Sequence, residues 1–265
     1  MSTSKPSATV GGFAASGVPA AAVASSGARA TEWLVGVPVI GLAHGSRHPE
    51  GTRAIERLMA AVSSIGGGPA EPAFLDLAEP DLTTVVRRLA AAGHRRAVVV
   101  PLLFTAAFHA TVDGPEAVQD AAAEVGLELV VTDILGTGPD VEELVGASMA
   151  AAGVAEETSV LLFAVGSSQP AANDAVHDLA SRLDAGRAGR VRAAFGTADP
   201  RPAAVLPELG ETVAVVPLFL APGLLLRSVT ETAAAQGWTM APPLGDLAAP
   251  LVLRRWVAAA SSESA

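Results

Sequence analysis

The chain repeats itself, and the repeat restricts its fold more than any other feature. "AHGSRHP" at 43–49 returns as "AVGSSQP" at 164–170, "AEP" at 78–80 as "ADP" at 198–200, and "PLLF" from Pro101 as "PLFL" from Pro217. Each match lies about 120 residues further on with a drift of only a few, so the order of elements is kept while loops are trimmed, as expected when one domain is written twice. Between the anchors, apolar runs alternate with helical periodicity. "VPVIGLA", "PAFLDL", "RAVVVPLLF" and "LELVVTDIL" read as strands, separated by helices over 50–65, 81–92, 114–126 and, after the last strand, 139–152. The second copy follows with "VLLFAVG", a helix through 170–184, "RVRAAFG", a short helix, "TVAVVPLFL", a helix from about 224 and a last helix ending near Trp256. Strand-helix alternation predicts a parallel sheet covered on both faces. The expected fold class is α/β, with two tandem domains, each a doubly wound parallel sheet flanked by helices.

The boundaries follow from composition. Residues 1–36 are rich in Ala, Ser, Gly and Pro without a periodic apolar face and read as a disordered tail. The first domain then spans 37–152, "GVAEETS" at 153–159 is a linker, the second copy spans 160–257, and 258–265 reads as a short second tail. Neither a secretory signal nor an uninterrupted apolar run of membrane-spanning length is present, so a cytoplasmic protein without a membrane partner is expected. The formal charge of −10 argues against a broad grip on nucleic acid. With 0 cysteines, a disulfide, a thiolate metal site and a cysteine-ligated iron–sulfur cluster are all excluded.

The two copies differ where chemistry is concentrated. His44 in the first becomes Val165 in the second, and His109, eight residues after Pro101, becomes Leu225. Both imidazoles are lost together, which suggests that they work together. In a doubly wound sheet, ligands bind beyond the carboxyl ends of the strands. His44 follows the first strand, Asp76 ends "PAFLD", and His109 follows the third strand after a short excursion. Two imidazoles and a carboxylate converging there suit a divalent transition metal with nitrogen and oxygen donors, such as iron, cobalt, nickel or zinc. His48, His94 and His177 lack such partners and read as surface residues, with His48 the strongest exception. "GTGPDVEE" at 136–143 lacks the full dinucleotide fingerprint and reads as a helix start.

"GLAHGSRHPEG", "FLDLAEPDL" and "PLLFTAAFHATVDGP" together resemble the three ordered motifs of class II chelatases, which insert a metal into sirohydrochlorin. The resemblance spans 37–115, and the degenerate copy extends it to about residue 257. It implies catalytic and metal-facing roles for His44, His109 and Asp76. The chain departs from the family pattern in having Asp76 where glutamate is usual and "DGP" at 113–115 where "DIP" is usual. The expected activity is a lyase reaction, ferrochelation of sirohydrochlorin for sirohaem synthesis, with cobalt insertion toward cobalamin as the alternative. The metal, Fe2+ or Co2+ with Ni2+ possible, would be a substrate, with no permanently bound cofactor. Weak, open ligation by imidazoles and a carboxylate allows the ion to be handed over, and the same groups can accept the pyrrole protons. The tetrapyrrole's carboxylates call for donors, for which Arg47, Ser46 and Gly45 in the turn after His44 are the candidates. The family's one-domain members pair into dimers. A fused pair is therefore expected to be a monomer with the substrate cleft between its lobes.

Two other classes compete. Histidine phosphatases also place His-Gly after the first strand, but carry arginine before that histidine, where this chain has Ala43. A non-enzymatic two-lobed small-ligand binding protein fits the duplication but leaves the paired histidines unexplained.

Overall fold

Val39–Ala43, strand β1, is buried along its whole length. A strand of this kind needs cover on both faces, and it receives parallel neighbours on both edges and helices above and below. The computed structural model describes residues 36–105, 118, 123 and 125–261. In the first half, β2 (Ala70–Phe74), β3 (Arg96–Pro101) and β4 (Glu128–Val131) complete a parallel sheet in the order β2-β1-β3-β4. The second half builds the same sheet from β5 (Ser159–Ala164), β6 (Val191–Phe195), β7 (Val213–Pro217) and β8 (Thr239–Met240), in the order β6-β5-β7-β8. The tandem α/β architecture expected from the repeat is therefore present, down to strand order.

Helices α1 (Pro49–Gly66), α2 (Leu82–Ala91) and α3 (Pro139–Ala151) belong to the first half. In the second half are α4 (Pro170–Ala185), α5 (Pro202–Leu209), α6 (Leu224–Gln236) and α7 (Ala249–Ser261), the last entered through a 3-10 turn at Gly245–Ala248. Helix α1 shows why the pattern folds this way: Ala54, Ile55, Leu58, Met59 and Val62 recur at helical spacing and are all buried. Its start has a proline in the first turn, and Gly67 ends it in the left-handed conformation.

Several boundaries differ from the periodicity. Strands β3 and β7 stop at Pro101 and Pro217, short of the full apolar runs, because proline has no N–H to extend a ladder. β2 ends at Phe74, so Asp76 lies beyond the strand. The two-residue β8 is too short to register as a pattern. Helix α7 continues to Ser261, so 258–261, read as tail, is helical. The expected helix over 114–126 and the tail before residue 36 lie largely or wholly outside the described residues.

The halves are joined by more than a linker. One buried cluster includes Val39, Val98 and Leu58 of the first half together with Val160, Leu179 and Val216 of the second. Each sheet has a further core on its outer face, around Val85 and Val99 in one and Leu161 and Val229 in the other. The final helices are also exchanged: α7 packs on α1 and β3 of the first half, and α3 packs on α4 and β7 of the second. Trp256 of α7 is fully buried, against the glycine end of α1. Arg255 clasps the first half by donating to the Ile134 and Leu135 carbonyls at 3.2 and 2.7 Å and to Asp140 at 2.9 Å. From α4, Arg182 reaches Glu142 at 2.7 Å and the Thr137 carbonyl.

Candidate functional site

The carboxyl ends of β1 and β2 are held together by main chain. Leu75 N donates to Ala43 O and Asp76 N to His44 O, each at 3.0 Å. His44 and Asp76, named from the sequence, are thus brought to one edge, and both are exposed there. Gly45 makes the approach possible. Its φ is +96°, and a Cβ at this position would stand 1.8 Å from the Asp76 carbonyl oxygen. The Asp76 side chain bends back so that Oδ1 accepts from Leu77 N at 2.7 Å, leaving Oδ2 without a partner among the described residues. Leu77 itself has φ +63° and is exposed.

In the next turn, Ser46 Oγ accepts from His48 N at 3.1 Å and fixes the entry into α1. Arg47 is exposed and without an ion-pair partner among the described residues. His109 lies outside the described residues. Among those described, no group of three histidine, acidic or cysteine side chains is close enough to hold a metal ion.

The second copy is an internal control for this edge. Its main chain makes the same bonds: Gly196 N to Ala164 O at 2.9 Å and Thr197 N to Val165 O at 2.8 Å. Gly166 has φ +87°, and Ser167 Oγ accepts from Gln169 N at 3.1 Å. Glycine and serine are kept in both copies because the turn needs them. What changes is the set of side chains it presents: His44 becomes Val165, Arg47 becomes Ser168 and Asp76 becomes Thr197. The last exchange escaped the sequence comparison because the first copy has one extra residue before its proline, at the Leu77 bulge. Thr197 Oγ1 donates to Val165 O and Gly166 O, at 2.9 and 3.0 Å, closing the edge on itself. Val165 and Leu225 are 43% and 38% exposed, so neither substitution filled a core.

Of the histidines set aside, His177 is half-buried with its ring edge-on to Phe195 at 5.3 Å. His48 is also half-buried, and its Nδ1 is closed to solvent without a hydrogen-bond partner. No sequence signal distinguished that ring from its neighbours beyond its nearness to His44.

The CbiX family model matches residues 38–152 and 159–254, once per half. No curated protein matches the chain in sequence. Among solved structures, the chain is similar to SirB from Bacillus subtilis with Fe3+, at 24% identity and a TM-score of 0.73, covering 85% of this chain and 96% of that one. The sirohydrochlorin chelatase SirB of Bacillus subtilis subspecies spizizenii in complex with cobalt gives 22% identity and 0.70 over 85% and 96%. CbiX, described as the terminal enzyme for siroheme biosynthesis in denitrifying bacteria, gives 20% and 0.63 over 84% and 99%. At these identities the likeness is one of fold.

Proposed function

The chain belongs to the CbiX family over both halves, and from that premise we propose that it inserts a divalent metal, ferrous iron, into sirohydrochlorin. Cobalt insertion into the same tetrapyrrole is the second reading, favoured by the cobalt complex of a similar fold. The observation that carries the proposal is the divergence between the copies: turn and backbone bonds are retained at the matched strand edge, while His44 and Asp76 of the first half are replaced there by Val165 and Thr197 in the second.

The reaction exchanges M2+ for two pyrrole N–H protons, leaving the metallated ring and two protons. His44 and His109 take the incoming ion in place of some of its waters, with Asp76 Oδ2 as the oxygen donor. Three ligands leave coordination positions open for ring nitrogens, and an incomplete set releases the ion readily. The imidazoles then accept protons as the metal enters the ring, the part of general bases held at the reacting centre. Arg47 is free to meet a substrate carboxylate by charge-assisted hydrogen bonds. Gly45 and Ser46 shape the turn in both copies, so any contact they make with substrate is additional to that duty.

The enzyme works as a monomer in the cytoplasm, without a resident cofactor. The exchanged last helices and the shared core support the monomer, since the two halves already cover each other's apolar faces. No helix among the described residues is long and apolar enough to cross a membrane. Anaerobic incubation of sirohydrochlorin with Fe2+, Co2+ and Ni2+ in turn, followed in the visible spectrum, tests the reading. Accelerated insertion with iron is expected; acceleration with cobalt alone would select the second reading.

A further inference from the structure

The loop after β2 is one residue longer than its counterpart after β6, although both loops are pinned at the same points. Phe74 N donates to Pro80 O and Phe195 N to Pro200 O, each at 3.0 Å, and the strand-end bonds from Asp76 N to His44 O and from Thr197 N to Val165 O also match. The extra residue therefore cannot be absorbed by sliding either end. It is accommodated at Leu77, the one non-glycine residue with positive φ among those described. A bulky side chain avoids a φ of +63° unless something holds it there. Packing does not, because Leu77 is 41% exposed. What the turn supplies is an N–H, donated to Asp76 Oδ1 at 2.7 Å.

The second copy shows why an acid needs that donor. Thr197 stands at the register of Asp76 and turns its hydroxyl onto the carbonyls of Val165 and Gly166, at 2.9 and 3.0 Å. A hydroxyl has a proton for those acceptors, whereas a carboxylate in the same place would set its own oxygens against two carbonyl oxygens. The longer loop removes that conflict. It carries the main chain over Gly45, where a Cβ would stand 1.8 Å from Asp76 O, while a Cβ on Gly166 would meet Phe195 Cβ at 2.8 Å and Ala198 at 3.0 Å instead. We propose that Leu77 is a positioning residue for the metal ion: its left-handed turn clamps Asp76 through Oδ1 and leaves Oδ2 as the single oxygen offered at the edge shared with His44. The inference rests on the chelatase reading for the destination of the ion and deepens it, since the bulge and the acid occur together in the first copy and are lost together in the second.

The test measures Co2+ binding to the full chain without tetrapyrrole, by calorimetric titration, beside KM for the metal and KM for sirohydrochlorin. Deleting Leu77, which gives the loop the second copy's length, should raise the Co2+ Kd and the metal KM at least about tenfold, with the sirohydrochlorin KM within about twofold, the scale on which groups that orient a metal ligand act. Leu77→Val keeps the N–H but disfavours positive φ, and should move both metal constants the same way. Leu77→Gly, which keeps the turn and its N–H, should recover most of the affinity lost in Leu77→Val. In an Asp76→Ala background neither the deletion nor Leu77→Val should weaken Co2+ binding further, because Leu77 acts through that carboxylate; a residue that only shaped the fold would cost as much in both backgrounds. Leu77 is exposed, so the two substitutions fold even if the deletion does not. Wild-type Co2+ affinity in Leu77→Val, or an equal loss with and without the Asp76 carboxylate, would overturn the inference. Leu77-dependent Co2+ binding in a protein that metallates no sirohydrochlorin would refute the chelatase reading and leave the clamp standing. Metallation with Leu77-independent Co2+ binding would refute the clamp alone.

Discussion

Gly45 and His44 are neighbours with opposite histories. The glycine is kept in both copies because a Cβ there would strike the opposing strand end, and the histidine is replaced in the copy that has no use for it. The two residues should therefore fail in different assays. His44→Ala removes an exposed side chain, so the thermal midpoint should hold while metal insertion falls at least about a hundredfold, the scale of loss for a group acting on the reacting centre. His109→Ala should match it, and the double variant should be little worse than either, because groups acting as a unit are not additive. Gly45→Ala should instead lower stability by about 2 kcal/mol or more, measured by urea denaturation, through its positive φ and the clash with Asp76 O. Asp76→Ala should cost less activity than either histidine variant, since one of its oxygens already serves the Leu77 turn. At this scale the repeat singles out His44 and His109 in the sequence; the structure places His44 at the strand edge beside Asp76, and His109 lies outside the described residues. The Asp76–Thr197 pairing was not legible in the sequence, because a one-residue bulge shifts the alignment and only the backbone bonds restore it.

Among the elements, α2 shows a device that its second-half counterpart has dropped. Asp81 caps α2 by accepting from Thr84 N at 2.7 Å, whereas Arg201 stands before α5 with no side-chain cap. Hydrogen bonds from the Thr84 side chain and then its N–H hold the Asp81 carboxyl below the usual carboxylate range, against a small opposing effect of burial and with help from the charge of Arg87. Because the folded form favours the carboxylate, the cap's contribution is present in full above the usual carboxylate range and is lost as the pH falls through that range toward the lowered value. Asp81→Ala should thus lower stability by about 1 kcal/mol at neutral pH, and the gap to wild type should narrow in acid, as followed by urea midpoints. The order and type of elements could be read from apolar periodicity, since each sheet is buried on both faces and its helices have regular apolar stripes. Strand ends could not, because Pro101 and Pro217 stop ladders inside runs that remain apolar for packing reasons. Leu225 is a comparable case. It is apolar yet 38% exposed beside Gly196, so Leu225→Ala should cost well under the about 2–5 kcal/mol of a buried leucine.

For the whole molecule, the exchange of α3 and α7 means that neither half closes its own core. A contiguous sequence pattern contains no sign of this, because the same apolar stripe satisfies either partner sheet. The consequence is cooperative: the halves should melt in one transition seen alike by calorimetry and circular dichroism. Arg255→Met should lower stability by about 2 kcal/mol by leaving Asp140 and two carbonyls unpaired. Duplication has thus produced one folding unit with two unequal edges. The central claim is that the first-half edge performs metal insertion, and the most direct measurement is the initial rate of anaerobic iron insertion into sirohydrochlorin, compared between wild type and His44→Ala at matched substrate occupancy. A wild-type rate well above the enzyme-free background that collapses in the variant is the predicted result. A wild-type rate no faster than background, or a His44→Ala rate equal to wild type, would contradict it.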